Sequence, residues 1–180
     1  MINSCPNVWQ VKTIHLNTKF YPHLSESLPF INQPDLCACS YGGSNSVVAV
    51  LDTGVAYNRD AFGSCSQPGE AGCKVIAAFE AAPNDGMLDD PAAFHGTNVA
   101  GIVLGVAPDS RIAAVDVFDG EAAFLNDIIT GINWVIDQKN QGSLNAVAIN
   151  LSLGAPAAPV DICVASPLRT AIQEARSAAD

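Results

Sequence analysis

SVVAVLDTG (residues 46–54) decides the fold. Five apolar residues in succession, Val47 to Leu51, run into Asp52 and a Thr-Gly turn. Three of the five are valine, whose branched Cβ favours extended backbone. An unbroken apolar run of this length fits a strand covered on both faces, as in a parallel sheet. The turn then lifts a carboxylate out of the carboxyl end of that strand.

Outward from this strand the chain alternates. KVIAAF (74–79) is a second candidate strand, and TNVAGIVLG (97–105) reads as a short helix of small and apolar residues stopped by Gly105. RIAAVDVF (111–118) is the next strand. FLNDIITGINWVIDQKN (124–140) carries apolar residues at 125, 128, 129, 132, 135 and 136, the stripe of an amphipathic helix. Gly142 stands just past its end, where a helix stop belongs. AVAINLSLG (146–154) is a further buried strand, and SPLRTAIQEA (166–175) opens on Ser then Pro with apolar spacing 168, 171, 172, 175. Strand and helix in alternation predict an α/β fold: three layers, a mainly parallel sheet and helices on both faces. Because the alternation stops on a helix, the domain reads as truncated at its C-terminus. Residues 1–45 show scattered Pro, Asn and Ser without sustained periodicity and read as an N-terminal extension, with the domain spanning 46–180.

Composition bounds the function. The 180 residues are 49% apolar and 14% charged, enough for one globular domain with a sizeable core. No apolar run approaches the roughly 18–20 residues of a membrane helix. A net charge of −10 argues against nucleic acid, because phosphate binding needs clustered Lys and Arg. Carboxylates concentrate at positions 80, 85, 89, 90, 109, 116, 119, 121, 127 and 137, with Arg111 as the one base among them. They read first as a solvated acidic face. Six cysteines stand at 5, 37, 39, 65, 73 and 163 without paired CxxC spacing, which argues against zinc. Cys65 and Cys73 flank SQPGEAG and are placed to close it as a disulfide; the remaining connectivity is open. An oxidising, extracellular or secretory compartment is expected, although MINSCPNVWQVKTIHL contains no signal-peptide apolar core.

In open α/β sheets chemistry gathers at the carboxyl ends of strands. Asp52 lies at such an end. His95, in FHGTNVAG (94–101), begins a helix after an acidic loop. Alone, the first is a turn aspartate and the second a capping histidine. Together, a carboxylate and an imidazole on one sheet edge are two thirds of a nucleophilic triad: the ring takes a proton from a hydroxyl while the carboxylate orients it.

Four blocks resemble the subtilisin-like serine peptidases, the subtilases. They are VVAVLDTGV, HGTNVAGIV, GVAPDSRIAAVDVF and AINLSLG, in the family's order. The resemblance implies Asp52 as the triad carboxylate and His95 as the general base. It places Ser152, Leu153 and Gly154 on one wall of a peptide cleft and Ala122 and Ala123 on the other. A protein or peptide substrate would add between those walls as a strand. Ser152 is not the expected nucleophile, because NLSLG lacks a sharp Gly-x-Ser-x-Gly turn. The family's Gly-Thr-Ser-Met-Ala nucleophile block and oxyanion asparagine are absent from the 180 residues, so the chain alone is expected to be inactive and to need the missing C-terminal part of the catalytic domain. Asn98 stands where the family's second histidine does and is expected to be structural. GIVLGVAP runs straight through where many subtilases insert a calcium loop, and Ala61 stands where an aspartate often contributes to that site. No metal site and no cofactor are therefore expected; Asp85, Asp89 and Asp90 read as a solvated loop. Asp119 and Glu121, close to a proposed wall, favour tolerance of basic residues in the substrate. A non-catalytic subtilase-like module that binds protein is the alternative. An aspartic peptidase, which also uses LDTG, is excluded by the alternating architecture.

Overall fold

A computed structural model describes residues 41–83, 94–120, 122–154 and 167–178. The apolar run forms β1 (Val47–Asp52), with five of its six residues buried. β2 (Val75–Glu80), β3 (Arg111–Asp116) and β6 (Ala146–Asn150) join it in a parallel sheet of order β2-β3-β1-β6. Between β3 and β6 a short antiparallel hairpin pairs β4 (Phe118–Asp119) with β5 (Ala122–Ala123), turning at Gly120 with φ +62°. A single turn of 3₁₀ helix covers Asp60–Phe62.

Helices cover both faces of the sheet. Alternation of side chains along β1 sends Val50 to one face and Ala49 and Leu51 to the other. Val50 packs with Val55, Phe62, Val75, Ile112 and Ala114 beneath Ala100 of α1 (Phe94–Val106). Leu51 packs with Val115, Val117, Ile132 and Val135 beneath α2 (Leu125–Asn140) and α3 (Pro167–Ser177). This is the three-layer α/β arrangement expected from the alternation.

Local chemistry sets the helix ends. Gly142 adopts φ +71° after α2, its N–H bonding to Lys139 O, the left-handed stop anticipated from its position. Within α2, Gly131 rests against Val115, Val117 and Leu51, where a Cβ would come within 2.9–3.2 Å of their methyl groups. Cys65 and Cys73 form the expected disulfide, buried between Phe62 and Val75.

Four expectations change. Strand pairing at AVAINLSLG ends at Asn150, opposite Val50, and Leu151–Gly154 leave the sheet unpaired although β1 pairs with β3 for two residues more. RIAAVDVF breaks after Asp116, whose Oδ1 accepts the Phe118 N–H at 2.9 Å and starts the hairpin. α1 is already helical at Phe94, three residues before the expected start. The acidic face is only partly solvated: Asp109, Asp119 and Asp137 are exposed, but Asp116 and Asp127 are buried. Positions 85, 89, 90 and 121 lie outside the described residues.

Candidate active site

The site is built where the loop after β1 meets the first turn of α1. Asp52 ends β1 with its side chain fully buried, and its backbone oxygen accepts the Val117 N–H at 3.0 Å. Pairing of β1 with β3 up to Asp52 itself, and with β6 as far as Val50, therefore holds the carboxylate in place. Its Oδ1 accepts two hydrogen bonds, from Thr53 N at 2.8 Å and from His95 Nδ1 at 2.7 Å. Oδ2 is buried and takes no hydrogen bond among the described residues. An ionised carboxylate only accepts, so the shared proton sits on Nδ1 of the imidazole. That tautomer leaves Nε2 with its lone pair, on a side chain that is 59% exposed. The arrangement thus has a buried anchor and an accessible base.

α1 can reach this close because of Gly96. A Cβ there would overlap Gly54 O and lie 3.1 Å from Asp52 Cβ and 3.2 Å from Asp52 Oδ1. Two hydroxyls tie the segments together: Gly96 N–H donates to Thr53 Oγ1 at 3.0 Å, and Ala56 N–H donates to Thr97 Oγ1 at 2.9 Å. Sequence reasoning singled out Asp52 and His95 but not these threonines. The available signal was a hydroxyl residue close behind each candidate, one position after Asp52 in DTG and two after His95 in HGT.

The two expected cleft walls leave strands on either side of β1. Ala122 and Ala123 form β5, in the hairpin that follows β3. Ser152, Leu153 and Gly154 follow β6. In the sheet β3 and β6 are the two neighbours of β1, so both segments emerge at the carboxyl edge that carries Asp52. Ser152 Oγ is occupied with Asn150 Oδ1 at 2.9 Å rather than with the imidazole. Asn98 is exposed on α1, and that helix runs unbroken through GIVLGV. Among the described residues, no group of three or more His, Cys, Asp or Glu side chains is placed to hold a metal ion.

The model of the subtilase family matches residues 43–179. The chain belongs to that family. This subtilase is 32% identical over 161 residues to subtilisin E of Bacillus subtilis (strain 168), an alignment covering 84% of the chain and 38% of the relative. It is 31% identical over 147 residues to the major intracellular serine protease of the same organism, covering 74% of the chain and 41% of the relative. Among solved structures, the Clostridium perfringens CspB protease superposes with a TM-score of 0.57 at 23% identity, over 78% of this chain and 35% of that one. That likeness supports the mainly parallel, helix-covered fold. The subtilase described here spans less than half the length of these relatives.

Proposed function

We propose that this subtilase is part of a serine endopeptidase that hydrolyses peptide bonds in proteins through an Asp-His-Ser triad. Asp52 is the orienting carboxylate and His95 the general base. The observation that carries the reading is the 2.7 Å bond between His95 Nδ1 and the buried Asp52 Oδ1. It presets Nε2 to accept a serine proton, and the carboxylate then stabilises the imidazolium that forms. Residues 46–180, after an extension, form a partial peptidase domain, and the serine and the oxyanion asparagine would come from the part of the domain they lack. Ser152, Leu153 and Gly154 on one side and Ala122 and Ala123 on the other would hold the substrate backbone as an added strand. Exposed Asp119 beside β5 favours basic substrate residues.

The remainder of the domain would dock beside β6. Beside β6 an apolar groove of about 360 Å³ runs between α2, α3 and the strand, lined by Val135, Ile136, Val147, Ile149, Leu151 and Ile172. On its far side β6 pairs with no strand among the described residues. An oxidising, extracellular or secretory setting is supported by the buried Cys65–Cys73 disulfide, although one relative is named as intracellular.

The test is turnover of a peptide ester and labelling by an organophosphate. The complete protein is expected to react with both, and H95A to react with neither. Residues 1–180 alone are expected to be inert. Turnover by 1–180, or an H95A protein that keeps wild-type activity, would overturn the assignment.

A further inference from the structure

Resting on the assignment of Asp52 and His95 as the catalytic pair, we propose that Thr53 and Thr97 are positioning residues. Through crossed hydrogen bonds they would set the distance between carboxylate and imidazole. Three hydrogen bonds close a ring. Asp52 Oδ1 accepts from Thr53 N at 2.8 Å, Thr53 Oγ1 accepts from Gly96 N at 3.0 Å, and the neighbouring His95 returns to Asp52 Oδ1 through Nδ1 at 2.7 Å. Thr53 therefore touches both partners: its amide orients the carboxylate and its hydroxyl holds the backbone beside the imidazole.

The Thr53–Gly96 bond is an unusual cap. The first N–H groups of a helix lack partners inside it and are commonly met by a side chain just upstream. Here Gly96, in the first turn of α1, is met by a hydroxyl 43 positions away in sequence. A local cap would stabilise the helix and leave it free to slide over the sheet. A cap from the loop that carries Asp52 stabilises the helix only while His95 stays over the carboxylate.

One such tie would still let α1 pivot. The second prevents it. Thr97 Oγ1 accepts the Ala56 N–H at 2.9 Å, so each segment contributes one amide and one hydroxyl, with the two ties offset along both. The Gly54 carbonyl beneath Gly96 blocks closer approach. The ties resist withdrawal and the carbonyl resists advance, leaving one separation for the pair. Thr53 is 4% exposed, so water cannot readily replace its hydroxyl.

The experiment uses residues 1–180, which need no turnover to report. The proton between His95 Nδ1 and Asp52 Oδ1 is expected as a ¹H resonance downfield of the amide envelope, absent in H95A. In T53V, which keeps the Thr53 amide and loses only the hydroxyl, its exchange with water should rise about fivefold to tenfold, the equivalent of one net hydrogen bond. T53S should restore the slow exchange. T97V should act in the same direction and T97S should rescue it. Amides in the last turn of α1 serve as the control and should exchange at unchanged rates. If T53V does not fold, T97V and T97S carry the same comparison. A resonance whose exchange is unchanged in the folded valine variants overturns the positioning role and leaves the Asp52–His95 assignment standing. Absence of the resonance from the unmodified chain overturns both.

Discussion

Replacing Gly96 with alanine tests whether steric fit between α1 and the β1 turn holds the pair together. The added methyl would overlap Gly54 O and lie 3.1 Å from Asp52 Cβ. The obstacle is backbone, which cannot rotate aside as a side chain end can. To restore ordinary contact the start of α1 must withdraw by roughly 1 Å, a displacement that costs on the order of 10²-fold in rate when it separates reacting groups. The same shift would stretch the 2.7 Å His95–Asp52 bond beyond hydrogen-bonding range. Alanine is favoured over glycine in a helix by about 0.8–1.0 kcal/mol, whereas overpacking costs about 1–3 kcal/mol. The net loss is then about 0–2 kcal/mol. For a domain of this size that lowers Tm by up to about 8 °C. Thermal melts of G96A in residues 1–180 measure the stability, a variant structure measures the bond, and kcat/KM of the complete protein measures the rate. A G96A protein as stable as the unmodified chain, with the bond intact, would refute the steric argument.

Three other outcomes follow from the structure. Reducing Cys65–Cys73, or replacing both residues with alanine, should cost about 2.5 kcal/mol from released loop entropy; the separation is eight residues, and an unchanged urea midpoint would contradict it. In the complete protein D52N should lower kcat by about 10⁴, and a drop below tenfold on a peptide ester would remove Asp52 from the triad. Glu70 should titrate below the usual glutamate range, because Ser66 donates to it from its backbone N–H at 2.7 Å and its hydroxyl at 2.9 Å. A lowered folded-state value means that its stabilising contribution is present above the unfolded pKa and is lost as pH falls through the folded one. S66A should raise the Glu70 midpoint partway in an NMR titration, since the backbone donor remains.

The sheet was legible because burial on two faces leaves a plain mark. Val47–Leu51 could hardly be anything but a covered strand, and the α2 stripe with Gly142 behind it announced its own span. What escaped notice depends on contacts that leave no pattern in the local sequence. The β4–β5 hairpin has two residues a side, too short for any period to register. α1 gives no amphipathic signal, with Phe94 and Ile102 exposed among small residues, and its first turn is capped from the distant Thr53. Asp116, at the end of β3, and Asp127, in the first turn of α2, look like their solvated neighbours in the sequence, and only the tertiary fold buries them. Asp52 and His95 were readable as a pair through their short motifs. The hydroxyls that hold them together were not, because a threonine beside a turn has many local uses.

The side of β6 that meets no strand among the described residues has a practical meaning for anyone producing residues 1–180. Val147 on this strand is 52% exposed and Ile172 on the adjoining helix 40%. Unmatched backbone donors and acceptors beside such a surface form a template for a neighbouring molecule's strand. Preparations should therefore associate as concentration rises, and slow precipitation would deplete concentrated stocks without any loss of native structure. A lysine at Ala148 should keep the chain dispersed.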